Sequence, residues 1–395
     1  MGFYFSEVIM IKKHTYISLF SSSGVGCYGF KMENFECIAT NELIERRLTI
    51  QKINKKCKFD SGYILGDIKD HNIKEKLFEE INKWKANGQG VDVVIATPPC
   101  QGMSVANHKK KENEIERNSL VNESVDIIKK VKPSFFILEN VPAFWKTGCT
   151  YNDSIEPIGT MVLNELSQFY EIEHKILNFK NYGSNSSRTR TLVIGVKKEI
   201  GIDPKVLYPD YREEKPLFDV IGKMNPLNWG EYDANDYFHS FRIYSEHMRD
   251  WIKDLKEGES AFDNEDDYKK PHQIIDGKLI INKSKNGDKY TRQIFSKVAP
   301  CIHTRNDQLA SQNTIHPVDD RVFSIRELMM MMSIPNSFKW IDKELCELNT
   351  LSIEEKQKLS KKEEMNIRRS IGEAVPTEIF RQIAEKITKE LANHA

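Results

Sequence analysis

The sequence predicts an α/β fold, a doubly wound and mostly parallel sheet, joined to a smaller second module. Three observations carry this reading. From Tyr16 to Gly195, short apolar runs alternate with amphipathic stretches, the pattern of strands linked by helices that cover both faces of a sheet. The first apolar run ends in Ser21-Ser22-Ser23-Gly24-Val25-Gly26, small residues that let the backbone turn tightly into a helix. Near residue 200 the alternation stops and the charge pattern changes. The chain has 395 residues, enough for two or three domains with a sizeable core. With 58 basic against 58 acidic residues it has no bulk positive charge with which to hold nucleic acid, although a local basic groove remains open to it.

Taken in order, strands are expected at Tyr16-Ile17-Ser18-Leu19-Phe20, Cys37-Ile38-Ala39-Thr40, Val91 to Ala96, Ser134 to Leu138 and Thr191 to Val196. A helix is expected around Glu123 to Lys130, where Val121, Val125 and Ile128 recur at helical spacing. Such sheets bind ligands at the carboxyl ends of their strands, so the chemistry should lie just after the apolar runs. Residues 201 to 280 hold 18 acidic against 11 basic residues and show no clear period. From Ile281 to Ala310 the sign reverses, with Lys283, Lys285, Lys289, Arg292, Lys297 and Arg305 against two acidic residues. Ser352 to Arg369 reads as an exposed Lys/Glu-rich helix. Thr377 is expected to cap a last helix whose Ile379, Phe380, Ile383, Ala384, Ile387 and Leu391 dock on the first domain.

The seven cysteines include no C-x-x-C pair and no Cys/His cluster at zinc spacing, so reduced thiols and no metal are expected. No apolar run approaches the roughly 20 residues that span a bilayer, and no signal peptide is evident; no membrane partner and a cytoplasmic location are expected.

Four constellations can carry chemistry. The turn after the first strand, Phe20 to Gly26, offers backbone N–H groups at a helix N-terminus to a polar ligand, although it lacks a full G-x-G-x-x-G. Glu42, about twenty residues on, is placed to accept from ribose hydroxyls, and Asp67 in Gly66-Asp67-Ile68 from an adenine amino group with Ile68 over the ring. Standing alone, a surface Glu42 and a helix-capping Asp67 fit equally well. Thr97-Pro98-Pro99-Cys100-Gln101-Gly102 follows a buried strand, so Cys100 sits at the mouth of the sheet on a stiff loop, placed for nucleophilic attack. Glu139-Asn140-Val141-Pro142 ends another buried strand, where a carboxyl group is costly unless paired or working and should hold a proton. Arg188-Thr189-Arg190 puts two guanidinium groups on one side of extended backbone.

In this order these stretches resemble the cytosine-C5 DNA methyltransferases, the S-adenosylmethionine-dependent enzymes of bacterial restriction-modification systems and their relatives. The resemblance covers nearly the whole chain. It rests on Leu19-Phe20-x-x-x-Gly24, Pro99-Cys100-Gln101, Arg117-Asn118-x-Leu120, Glu139-Asn140-Val141 and Tyr182-Gly183 through Arg188-x-Arg190. Arg326-Glu327-Leu328 through Ile334-Pro335-x-x-Phe338 and Gly372-x-Ala374-Val375-Pro376 complete it. Ser18 stands where the family usually has Asp, Ser22 and Val25 where Gly is usual, Asn185 and Ser186 where Pro-Gln is usual, and Glu373 where Asn is usual.

The resemblance implies a Rossmann-like methyltransferase domain and a covalent mechanism. A cytosine is flipped from double-stranded DNA, Cys100 attacks C6, and Glu139 holds N3 and the exocyclic amine. C5 then takes the methyl group of S-adenosyl-L-methionine. Arg190 is expected at the base and Arg188 at the flipped nucleotide's phosphate. The cofactor residues implied are Phe20, Gly24, Glu42, Asp67, Ile68 and Pro99. Gln101, Ser104, Lys283, Lys285, Lys289, Arg292 and Arg305 are expected at DNA, with the acidic 201 to 280 stretch facing away from it.

The implied division is a catalytic and cofactor domain over 1–198 completed by 361–395, target recognition over 199–320, and a hinge with the penultimate motif over 321–360. A companion restriction endonuclease acting on the same site, a monomeric state and a place at the bacterial nucleoid are implied as well. Two other readings stay open from the sequence: a tRNA methyltransferase of the same superfamily, and a catalytically idle DNA-binding regulator.

Overall fold

The computed structural model describes residues 13–99, 120–283 and 288–394. Its centre is a seven-stranded sheet. Five strands run parallel: β1 (Thr15–Leu19), β2 (Glu36–Glu42), β3 (Tyr63–Leu65), β4 (Val93–Ala96) and β5 (Phe135–Asn140). A two-stranded ribbon, β6 (Gly148–Tyr151) and β7 (Ser154–Pro157), stands apart from it. The sheet is finished by β8 (Tyr170–Asn178) and β9 (Thr189–Lys197), giving the order β3-β2-β1-β4-β5-β9-β8. The direction of winding reverses between β1 and β4, so the crevice that such a sheet opens to ligands lies beyond Leu19 and Ala96. β9 runs antiparallel to β5, pairing Glu139 with Leu192 and Asn140 with Thr191. Its first residues therefore lie beside the last residues of β5.

Helices α1 (Tyr28–Met32), α2 (Glu45–Ile53), α3 (His71–Ala86), α4 (Leu120–Val131) and α5 (Ile158–Leu166) connect the strands. Period-two alternation sorts the strand side chains into two layers. Ile17, Leu19, Val94, Ala96, Phe136 and Leu138 face a core with Leu77 and Ile81 of α3, Val125 and Ile128 of α4 and Met161 and Val162 of α5. Tyr16, Val93, Ile95, Phe135 and Ile137 face the other, built with Phe30 of α1.

Beyond the sheet come α6 (Leu217–Ile221), α7 (Glu246–Asp250), a hairpin of β10 (His272–Ile275) and β11 (Lys278–Ile281), α8 (Ile325–Met331), α9 (Leu345–Thr350), α10 (Ile353–Glu373) and α11 (Thr377–Asn393). The amphipathic α11 returns to the sheet, where Ile379, Phe380, Ile383 and Ile387 complete the second layer, as the apolar spacing predicts. Thr377 does not cap it: Pro376 holds that position, and the Thr377 hydroxyl donates to the Val25 carbonyl at 3.0 Å. A third core joins Leu217, Val220 and Ile302 to Met329, Met331, Trp340 and Ile371, and so runs across position 320. A fourth gathers Phe241, Trp251, Tyr290 and Val322. Among the described residues no helix is long and apolar enough to cross a membrane.

Candidate active site

The carboxyl ends of β1 to β5 gather most of the residues singled out by sequence. Phe20 leaves β1 with φ 59°, a left-handed conformation uncommon for an aromatic residue, followed by Ser22 at φ 49° and Gly24 at φ 81°. The turn is fastened on several sides. Phe20 N–H donates to Asn41 O at 3.3 Å, its carbonyl accepts from the Thr97 hydroxyl at 2.9 Å, and the Gln51 amide donates to Ser22 O. Phe20 itself is half-buried, packed against the first core.

Glu42 ends β2 almost fully buried, its Oε1 accepting from the N–H groups of Leu43 at 3.1 Å and Ile44 at 3.2 Å. Burial pushes its carboxyl up, against Arg47. Arg47 also pairs with Glu373, which accepts from the Ser22 hydroxyl at 3.1 Å. Two departures from the family pattern, Ser22 and Glu373, thus bind each other. Arg47, which sequence reasoning missed, ties both to Glu42; its signal was only a cation one helical turn beyond an acidic strand end.

Asp67 is exposed beyond β3, and its Oδ1 accepts from Lys69 N–H at 3.0 Å. Ile68 corrects an expectation. Its side chain is packed at 1% exposure in the core that also holds Ile64 and Ile73, so no apolar face is left to cover a ring.

At the end of β5, Glu139 is buried, with Oε1 3.2 Å from Arg190 Nε, yet among the described residues that oxygen makes no well-formed hydrogen bond. Burial pushes its carboxyl up, opposed by Arg190 and Arg188. A carboxyl group in this state can hold a proton and share it with a ligand. Asn140 braces the neighbouring loop: its Nδ2 donates to Pro98 O at 2.9 Å and its Oδ1 accepts from Val141 N–H at 2.8 Å. Pro99 follows, half-buried. Cys100, Gln101, Ser104, Arg117, Asn118 and Lys285 lie outside the described residues.

The antiparallel β9 delivers the two arginines to different places. Arg190 meets Glu139. Arg188 is 3% exposed, with Nη1 donating to Ile302 O at 3.4 Å and Gly372 O at 3.2 Å and Nη2 to Glu373 O at 3.4 Å. This corrects its expected role at a phosphate, because the guanidinium is enclosed and ties the C-terminal end of α10 to the segment at Ile302. The same contact explains the glycine of the last motif: a Cβ on Gly372 would lie 2.5 Å from the His303 carbonyl carbon and oxygen. His303, which no sequence pattern marked, joins the charged group around Arg188 and Arg190. Burial, then Arg188, push its pKa down, with Asp288 opposing.

Of the cations expected at DNA, Lys283 is exposed, Lys289 half-buried, and Arg305 exposed with Nε 3.3 Å from Asp307 Oδ1. Arg292 is a correction. At 3% exposure it donates to the carbonyls of Ile252, His316, Val318 and Asp319 and to Asp320 Oδ1, holding the fourth core together. No face of it is left for a groove. Among the six cysteines in the described part, Cys27, Cys37, Cys57 and Cys149 are buried, Cys301 is half-buried and Cys346 exposed.

A doubly wound sheet with its last strand reversed, acidic acceptors at the ends of two adjacent strands and a buried carboxyl beside a guanidinium define a methyltransferase of the Rossmann-like class. The E. coli prophage-encoded protein assigned as a DNA modification methyltransferase has this fold, with a TM-score of 0.64 and 17% identity over 96% of this chain and 100% of that one. The chain belongs to the C-5 cytosine-specific DNA methylase family, whose model matches residues 14–389. It is 29% identical over 390 residues to the Type II methyltransferase M1.HgaI of Avibacterium volantium, covering 95% of this chain and 98% of that one. To the Type II methyltransferase M1.HphI of Haemophilus parahaemolyticus it is 26% identical, covering 96% and 88%. The protein is therefore a C-5 cytosine DNA methyltransferase of the Type II restriction-modification type.

Proposed function

We propose that the protein methylates a cytosine flipped out of duplex DNA through a covalent bond between Cys100 and C6, with S-adenosyl-L-methionine as donor. The observation that carries this reading is the buried Glu139 beside Arg190 at the end of β5, a carboxyl that burial pushes up, one strand from the nucleophile loop. The Cys100 thiolate adds to C6 while Glu139 gives a proton to N3, which takes up the charge pushed into the ring. Arg190 holds the Glu139 carboxyl in place, and Asn140 anchors the base of the loop that carries Cys100. C5, now nucleophilic, would take the methyl group of the sulfonium donor, which leaves as the neutral thioether; loss of the C5 proton and return of the C6–S electron pair to sulfur release Cys100, and N3 returns its proton to Glu139.

The site's chemistry fits a cationic sulfonium nucleoside. Phe20 is half-buried beside the site, Glu42 and Asp67 offer acceptors, and Glu373 adds a third carboxylate. When bound, S-adenosylmethionine supplies an electrophilic methyl group; Gly24 and Pro99 would border it.

Gln101, Ser104, Lys283, Lys285, Lys289 and Arg305 are proposed to meet the DNA, within a recognition region over 199–320 set between a catalytic part, 1–198 with 361–395, and a hinge at 321–360. Methylation at this site protects it from a companion endonuclease in the cytoplasm, and a monomer suffices for one target strand.

The test is transfer of label from S-adenosylmethionine to plasmid DNA or tRNA, followed by sequencing for methylated cytosines. DNA is expected to be labelled and Cys100→Ser to abolish turnover while keeping cofactor binding. Turnover that survives Cys100→Ser would remove the covalent mechanism; label in tRNA alone would remove the DNA reading.

A further inference from the structure

Beneath the turn from Phe20 to Gly24 lies a buried cation whose partners among the described residues are all neutral. Lys56, 9% exposed, places Nζ 2.6 Å from Ser18 Oγ, 2.8 Å from Ser21 Oγ, 3.0 Å from Gln51 Oε1 and 3.1 Å from Thr40 Oγ1. An ammonium has three protons, so its hydrogen bonds are satisfied while its charge is not. A charge kept out of water without a counter-charge is costly, and it is retained where an anion meets it. Ser18 stands where the family usually has Asp; a carboxylate there would pair with Nζ internally, and serine leaves the charge available.

The order of the sheet indicates which anion. Across β3, β2 and β1 the strand ends carry Asp67, Glu42 and the Phe20–Gly24 turn in succession. A nucleoside whose base is held at Asp67 and whose ribose is held at Glu42 extends its remaining arm over the β1 turn. Ser21, held from below by Lys56, is part of that turn. The carboxylates of Glu42 and Glu373 are already answered by Arg47, whereas Lys56 is answered by none of its four partners.

We propose that Lys56 is a positioning residue for the α-carboxylate of the cofactor, holding the turn through Ser21 and supplying the counter-charge for the amino-acid end. The proposal rests on the reading that S-adenosylmethionine is the donor. It assigns no step of the methyl transfer to Lys56.

Two ligands separate the charge from the scaffold. S-adenosylhomocysteine carries the carboxylate; 5′-methylthioadenosine has the same nucleoside thioether without the amino-acid group. Calorimetric titration of the full chain is expected to show that Lys56→Met weakens S-adenosylhomocysteine at least tenfold and leaves 5′-methylthioadenosine within twofold, while Lys56→Arg restores most of the loss. Ser18→Asp, which pairs the ammonium internally, should weaken S-adenosylhomocysteine selectively in the same way. Equal weakening of both ligands by Lys56→Met, or no weakening of either, overturns the proposal while leaving the donor reading intact. Failure of the unaltered protein to bind either ligand overturns the donor reading instead. Should Lys56→Met not fold, an unchanged S-adenosylhomocysteine affinity in Ser18→Asp overturns the proposal.

Discussion

His316 accepts at Nδ1 from the N–H groups of Val318 at 3.2 Å and Asp319 at 2.9 Å, and its Nε2 lies 3.6 Å from Glu327 Oε1. Burial pushes its pKa down to about 4, against the pull of Glu327. Burial alone would raise the Glu327 carboxyl, but the Arg321 guanidinium, bidentate at 2.8 and 2.9 Å, holds it well below the usual carboxylate range. Both shifts act in one direction. The unfolded chain binds more protons than the folded one between about pH 6.5 and 4 at His316, and below about pH 4.3 at Glu327. Their stabilisation is present above these values and lost as the pH falls. The melting temperature should therefore drop from pH 7 to 4, and His316→Asn, which can accept but cannot be protonated, should flatten the decline above pH 4. A variant that tracks the unaltered protein across that window would refute this. None of it is legible in sequence, because Arg321 and Glu327 follow His316 by five and eleven positions and only the fold turns all three inward. Glu139, by contrast, was legible, because an acidic residue closing a run as apolar as Phe135 to Leu138 is enclosed on both faces of a parallel sheet.

At the scale of elements, α1 and α11 are separated by 352 positions between Gly29 and Arg381, yet their backbones touch. A Cβ on Gly29 would lie 2.5 Å from Arg381 N and 2.6 Å from Thr377 O, both main-chain atoms that cannot turn aside. Gly29→Ala is expected to cost about 1–3 kcal/mol in urea denaturation, the range for overpacking a tight core. A loss below a few tenths would mean that α11 docks less closely. The strands β1, β2, β4, β5 and β9 were all legible as apolar runs because helices cover both their faces. β3 and β8 were not. β3 is three residues long, and β8 is an edge strand whose Glu171, Glu173 and Lys175 read as a polar segment. Edge strands carry charge because one side faces water, which erases the pattern that reveals a central strand.

Over the whole molecule, neutrality conceals an uneven distribution, with the acidic 201 to 280 stretch preceding a basic one. Each phosphate neutralised contributes about 0.9 to the slope of log affinity against log salt. Replacing Lys283, Lys285 and Lys289 with Ala should therefore reduce that slope by about 2–3 in duplex binding; an unchanged slope would place the DNA elsewhere on the surface. The basic stretch could not be sorted from sequence, since Lys283 stays exposed while Arg292 is spent inside the fourth core. By itself the sequence determined the winding of the sheet, the family and the order of the motifs, because periodicity and local spacing encode which backbone turns where. Only the tertiary structure decided which charges work and which merely hold the molecule together. Arg188 and Arg190 are two positions apart, yet one is enclosed by the carbonyls of Ile302, Gly372 and Glu373 and the other faces Glu139. A guanidinium's role depends on what surrounds it, and those surroundings come from distant segments, 51 positions away for Arg190 and 114 or more for Arg188.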